Sequence, residues 1–131
     1  RNMKKMKAAL KELLENNGGD AFSIKGKGLM LVVPKDGAEL KKEGEALHHC
    51  VGSYIDKVAR GETNIFFVRK EKEPDKPYFT LEFKNNRIVQ CRGSHNCGMP
   101  PEVEAFVKAF ERKMQETAKE QVNSKGHRKA G

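Results

Sequence analysis

The segment that most restricts the fold of this chain is a pair of alternating runs hinged on two asparagines. Phe79, Leu81 and Phe83 alternate with Thr80 and Glu82, and Ile88-Val89-Gln90-Cys91-Arg92 follows beyond Asn85-Asn86. Strand side chains point alternately to opposite faces, so the three apolar residues share one face and Thr80 and Glu82 the other. Asn tolerates the left-handed backbone that a tight hairpin needs. A three-residue loop, Asn85-Asn86-Arg87, sets Phe83 opposite Val89, Glu82 opposite Gln90, Leu81 opposite Cys91 and Thr80 opposite Arg92. In that register both strands agree: one face is apolar and the other carries Thr80, Glu82, Gln90 and Arg92. A two-residue loop puts Gln90 beside Leu81 and mixes the faces. A polar strand face is ordinarily a wet surface. Here, however, Thr, Glu, Gln and Arg stand where a lysine-rich protein would place Lys, and Ser94, His95 and Asn96 follow within reach. The face is therefore also a candidate hydrogen-bonding pocket.

The remaining pattern is that of an α+β domain, with a small antiparallel sheet of three to five strands packed against several helices. Residues 3–14 place Met3, Met6, Leu10 and Leu13 on one helical stripe, and Asn16-Asn17-Gly18-Gly19 stops the helix. Residues 21–24 and 29–33 read as short strands, the second ended by Pro34. Asp36-Gly37-Ala38-Glu39 has the spacing of a capping box, so a helix should run from there to about Gly44. A second helical stretch should bury Leu47, Val51, Tyr54, Ile55 and Val58 and close at Gly61. Residues 65–69, rich in β-branched and aromatic side chains, form a strand ahead of the hairpin strands 78–83 and 87–92. Pro101 suits the first turn of a last helix, whose Val103, Phe106, Val107, Phe110 and Met114 face the core. Helices should cover the apolar sheet face, burying Leu47, Val51, Tyr54, Phe66, Val68, Phe79, Leu81, Phe83, Val89, Phe106 and Phe110. The expected organisation is one domain over residues 1–122, with residues 123–131 a flexible basic tail.

The 131 residues suffice for one domain with a real core. No apolar run approaches the roughly 18 residues needed to span a bilayer, and no signal peptide is visible. The basic opening Arg1-Asn2-Met3 looks like a cut end, which points to a part of a longer protein. Three cysteines, an odd number, argue against a disulfide framework and for reduced thiols in a cytoplasmic compartment. The net charge of +8 draws polyanions, nucleic acid first among them, or simply keeps the surface solvated.

The run Leu47-His48-His49-Cys50-Val51-Gly52-Ser53-Tyr54 concentrates chemistry in one turn and helix start. A cysteine beside imidazole is a candidate nucleophile, and it is equally a small buried hydrophobe. Zinc is a further reading, since Cys50, His48 or His49, Cys91, His95 and Cys97 include enough ligands. The spacing from Cys91 to Cys97 is nevertheless not that of a zinc knuckle, and the hairpin register turns Cys91 into the core. No metal and no cofactor is therefore assigned.

Taken together, Glu43-Gly44, Leu47-His48-His49-Cys50-Val51-Gly52-Ser53-Tyr54, Gly61, Ile65, Arg69, Pro77, Thr80, Glu82, Gln90, Arg92-Gly93 and Asn96 resemble PcfJ-like proteins over about residues 24–110. The resemblance implies a protein carried on conjugative plasmids, integrative elements or prophages. It also joins His49 and Cys50 to Thr80, Glu82, Gln90, Arg92 and Asn96 as one polar signature, which marks a site more often than packing does.

Three functions follow as expectations. The first is an accessory protein of a mobile element that associates with nucleic acid through its basic surface, with other proteins of the element as further possible partners and no membrane. The second is a Cys/His-dependent hydrolase or transferase, with His49, Cys50 and Glu82 catalytic and Ser53, Thr80, Gln90, Arg92 and Asn96 binding. The third is a partner-binding module docking on the polar face. Under the second reading, His49 and Cys50 sit against that face, and an ion pair between Glu82 and Arg92 holds Glu82 beside an imidazole.

Overall fold

A computed structural model describes residues 2–19, 21–49 and 52–130, with side chains described for 6–19, 21–49 and 54–122. Five strands form one antiparallel meander in chain order: β1 (Ala21–Ser23), β2 (Leu29–Val32), β3 (Asn64–Lys70), β4 (Phe79–Lys84) and β5 (Arg87–Arg92). Helix α1 (Asn2–Glu15) precedes the sheet. Helices α2 (Gly37–Leu47) and α3 (Gly52–Ala59) lie between β2 and β3, and α4 (Pro101–Ala130) closes the chain. The fold is α+β, an antiparallel sheet of strands in chain order with helices packed on it.

Helices cover both faces of the sheet, not the apolar face alone. On one face α1 and α4 bury Met6, Ala9, Leu13, Phe106 and Phe110 against Phe22, Leu31, Phe66, Val68, Phe79, Leu81, Phe83 and Cys91. Phe110 centres this core, its ring 5.2 to 5.6 Å from those of Phe22, Phe66 and Phe83. On the other face Leu40 of α2 and Tyr54, Ile55 and Val58 of α3 pack on Val32, Ile65 and Phe67. Strand β3 is thus buried on both sides, which explains why it reads Ile-Phe-Phe-Val without alternation.

The hairpin turn differs from the expectation in an instructive way. The loop has two residues, Asn85 and Asn86 at φ 54° and 61°, and Lys84 pairs with Arg87 and Phe83 with Ile88. A β-bulge between Glu82 and Phe83 then restores Glu82 to Gln90, Leu81 to Cys91 and Thr80 to Arg92. The bulge supplies the extra residue that a longer loop was expected to supply, and that residue is Val89. Val89 is therefore 53% exposed and not part of the core.

Helix α2 begins as a capped helix: Asp36 accepts from the Glu39 N–H at 2.9 Å, and the Glu39 carboxylate reaches back to the Lys35 N–H. It runs past Gly44 to Leu47, so buried Leu47 belongs to α2, not to the following helix. Val51 lies outside the described residues. At the other end of the chain, the α4 backbone continues helical to Ala130, past the point near Val122 where the composition turns to that of a tail.

Candidate functional site

Helix α2 ends on His48, which adopts the left-handed conformation (φ 55°, ψ 46°), and the His49 N–H closes the helix on the Gly44 carbonyl at 3.1 Å. This turn aims the two imidazoles differently. The His49 Nε2 lies 3.1 Å from the Thr80 Oγ1 on β4, whereas His48 stacks on His95 with ring centroids 4.6 Å apart and planes 16° from parallel. His95 sits in the 3-10 turn Ser94–Asn96 that follows β5, where its Nδ1 meets the Ser94 hydroxyl at 3.0 Å. His95 and Asn96 are also left-handed, at φ 56° and 62°. Apart from the two hairpin asparagines, His48, His95 and Asn96 are the non-glycine residues with positive φ among those described. Such conformations cost free energy and persist where the surroundings impose them, commonly at functional positions.

Between this rim and the sheet lies an open cleft of about 840 Å³. Its walls include Lys41, Gly44, Glu45, His48 and His49 from α2 and its cap, Tyr54 from α3, Ile65, Thr80, Glu82, Gln90 and Arg92 from the sheet, and Asn96. His49, Thr80, Glu82, Gln90, Arg92 and Asn96, scattered over 48 positions of sequence, thus line one cavity. Thr80 and Glu82 are buried at its floor, while Lys41 and Arg92 are exposed at its mouth. Ser53 and Cys50 cannot be placed in the same way: Cys50 and the Ser53 side chain lie outside the described residues.

The floor is a hydrogen-bonded chain. The Thr63 hydroxyl donates to the Glu82 Oε2 at 2.8 Å, and the Gln90 amide donates both to the Glu82 Oε1 at 3.3 Å and to the Tyr54 hydroxyl at 2.5 Å. The expected Glu82–Arg92 ion pair is not among the ion pairs of the described residues. Glu82 is held by neutral donors, and Arg92, across from Thr80, turns to the mouth. The buried ion pair of this face lies elsewhere. Arg69 of β3 forks onto Glu43 of α2 through two hydrogen bonds of 2.5 and 2.7 Å, with its guanidinium over the Phe67 ring. It ties α2 to the sheet and so fixes where the His48-His49 turn stands.

Tyr54, Thr63 and Lys41 join the site beyond the residues expected from the sequence. The spacing of Tyr54 fits the helix stripe, yet a half-buried tyrosine hydroxyl needs a partner, and that is the signal which marks it. Of the ligands named for zinc, Cys50 lies outside the described residues, and the two other cysteines are far apart in environment. Cys91 is buried in the α1/α4 core, with burial pushing its thiol up to about 12, and Cys97 is exposed. Among the described residues, no group of three or more His, Cys, Asp or Glu is gathered to hold a metal. No helix among them is long and apolar enough to cross a membrane.

A family model described as PcfJ-like protein matches residues 1–107, and the chain belongs to that family. An uncharacterized protein of Listeria innocua is 48% identical over 68 residues, a stretch covering 50% of this chain and 15% of that protein. The chain thus corresponds to a small part of that relative's length. No solved structure matches the chain.

Proposed function

We propose that this PcfJ-like chain is a cytoplasmic accessory protein of a mobile genetic element, acting in conjugation or prophage biology, and that it associates with nucleic acid at the cleft. The mobile-element part of this reading rests on the family. The nucleic-acid part rests on one observation: a hydrogen-bonding floor of Thr80, Glu82 and Gln90 opens under a mouth carrying Arg92 and Lys41, in a chain of net charge +8. Long-range attraction brings a polyanion to such a surface, and cations at a cavity mouth position its phosphates. The test is fluorescence anisotropy with labelled oligonucleotides across a salt series. Roughly four to six phosphate contacts give a log–log slope of about −4 to −5 on duplex DNA, somewhat shallower on single strands. Absence of binding at low salt, or binding indifferent to salt, removes the reading.

A second reading, a Cys/His-dependent hydrolase or transferase, is favoured by the hydrogen bond between His49 and Thr80 on the same cleft wall as Glu82. Here Cys50 is the nucleophile, His49 the base, and Glu82 a carboxylate close to the reacting groups. Peptide mapping after brief alkylation at neutral pH tests it. Cys50 should react about tenfold faster than exposed Cys97, because an activated thiol is distinguished by its rate. Equal rates exclude an activated Cys50.

A further inference from the structure

The cleft is chemically polarised, and its polarity narrows what can enter it. Glu82, with 9% of its surface exposed, lies at the inner end, and the exposed Arg92, Lys41 and Glu45, two cations to one carboxylate, lie toward solvent. A ligand that fits has hydrogen-bond donors at one end and an anionic group at the other. The floor specifies the inner end further. The Gln90 amide nitrogen is committed to Tyr54 and Glu82, which turns its carbonyl oxygen to acceptor duty. The Tyr54 oxygen accepts from Gln90, so its own hydrogen remains to be donated. Glu82 is bonded by Thr63 and Gln90, one to each oxygen, and a carboxylate has capacity for further donors. Because Tyr54 and Glu82 bond the same amide nitrogen, one donor and a group of acceptors stand within the width of a single base edge. At the side, His48 lines the cleft with His95 stacked on it in parallel, and both rings are exposed. Imidazole planes of this kind are platforms on which unpaired bases stack.

We infer that the cleft receives one unpaired nucleotide of a single-stranded polynucleotide, with its base turned inward to Glu82, Gln90 and Tyr54 and its phosphate at Arg92 and Lys41, and that guanine is the base the floor accepts best. The inference deepens the nucleic-acid reading above and rests on it. A guanine edge offers one acceptor, O6, beside the N1–H and N2 amino donors, the complement of a tyrosine hydroxyl beside a carboxylate. Adenine N1 and cytosine N3 would instead set a lone pair against the Glu82 carboxylate, and uracil or thymine has a single donor. A duplex presents no free base edge of this kind, so a paired nucleotide has to be unpaired before it can enter. The cleft volume of about 840 Å³ lies in the range of cavities that hold small molecules, ample for one nucleotide.

The test uses the full chain and labelled strands of about 12 nucleotides, within the usual footprint of single-strand binders, as both RNA and DNA. One strand of A, C and U or T carries a single central guanine, a second lacks it, a third carries inosine there, and a fourth is the duplex of the first. The expected result is that the guanine strand binds about tenfold tighter than the guanine-free strand and the duplex, and that inosine, which lacks the N2 amine, loses most of that gain. Glu82→Gln should erase the guanine preference, the guanine and guanine-free strands then binding alike, with a thermal melt confirming that the variant is folded. The inosine strand probes the same contact from the ligand side should that variant unfold. The RNA and DNA arms separate the two sources of the same base. Binding of all four ligands with equal affinity overturns this inference and leaves the nucleic-acid reading standing. Failure of every ligand to bind at low salt overturns both.

Discussion

The two faces of the sheet are made by the same strands yet are built to different ends. Under α1 and α4 the inward positions of β3 and β4 are apolar apart from Asn64, whose amide meets the Met6 sulfur, and aromatic rings fill the interior. Under α2 and α3 the apolar contact is confined to β2 and β3, through Val32, Ile65 and Phe67. Over β4 and β5 it gives way to Thr80, Glu82, Gln90 and Arg92. The short pair α2 and α3 covers half of this face and leaves the other half as the cleft. Buried polar groups are tolerated there because they are satisfied: Glu82 by Thr63 and Gln90, and Glu43 by Arg69. The comparison teaches that one face stores stability in volume, whereas the other spends part of its packing on fixed polar groups.

Breaking the apolar face should have the largest effect. Phe110→Ala removes a fully buried ring in contact with three others and should cost about 3–5 kcal/mol in urea denaturation, enough to unfold much of a small domain. A loss below about 1 kcal/mol would show that α4 is not seated in the core as described.

On the other face Glu43→Ala strands the guanidinium of Arg69, a residue only 8% exposed, and should cost about 3 kcal/mol. Replacing both partners together, with Glu43→Leu and Arg69→Met, should recover most of that loss, because an apolar pair avoids the desolvation of two charges. If the double variant is no more stable than Glu43→Ala, the ion pair is not what fixes α2.

Cys91 gives the apolar face a pH signature. Burial raises its thiol from 9.0 to about 12, so the fold favours the neutral form. A raised value leaves stability intact below the unfolded value and removes it as pH climbs toward the folded one. Thermal melts should therefore show a loss of up to about 1.4 kcal/mol per pH unit above about pH 9, attributable to this group by its absence in Cys91→Ala. The same slope in wild type and Cys91→Ala would mean that the thiol is not desolvated.

The smallest effect is expected where the bulge turns a side chain out of the core. Val89→Lys should change stability by less than about 0.5 kcal/mol, since the side chain is 53% exposed. A loss of more than about 2 kcal/mol would restore the three-residue loop register, in which Val89 faces Phe83 inside.

How much of this was legible depends on which physical rule governs each element. The capped start of α2, the Met/Leu stripe of α1 and the final helix follow from local spacing and turn chemistry. The pairing of Thr80, Glu82 and Leu81 with Arg92, Gln90 and Cys91 followed from the demand that both strands keep their faces pure. The route to that register did not, because a longer loop and a tight turn with a bulge satisfy the same demand. Val89 was misplaced for that reason. The Glu82–Arg92 pair was expected from proximity on adjacent strands, and neutral donors from Thr63 and Gln90 took the position instead.

By itself, the sequence determined the α+β class, the strand and helix inventory, the register over most of the hairpin and the polar membership of one sheet face, because all of these arise from side-chain periodicity and turn preferences between near neighbours. Only the tertiary structure decided that α2 and α3 would lie over that polar face, that His49 would meet Thr80 and His48 would stack on His95, and that Tyr54 would join the floor. Those contacts join residues 31 to 47 positions apart, and their geometry depends on how helices settle on a twisted sheet. The cleft exists because α2 and α3 are too short to cover the sheet, and helix coverage is a property of packing that no local pattern encodes.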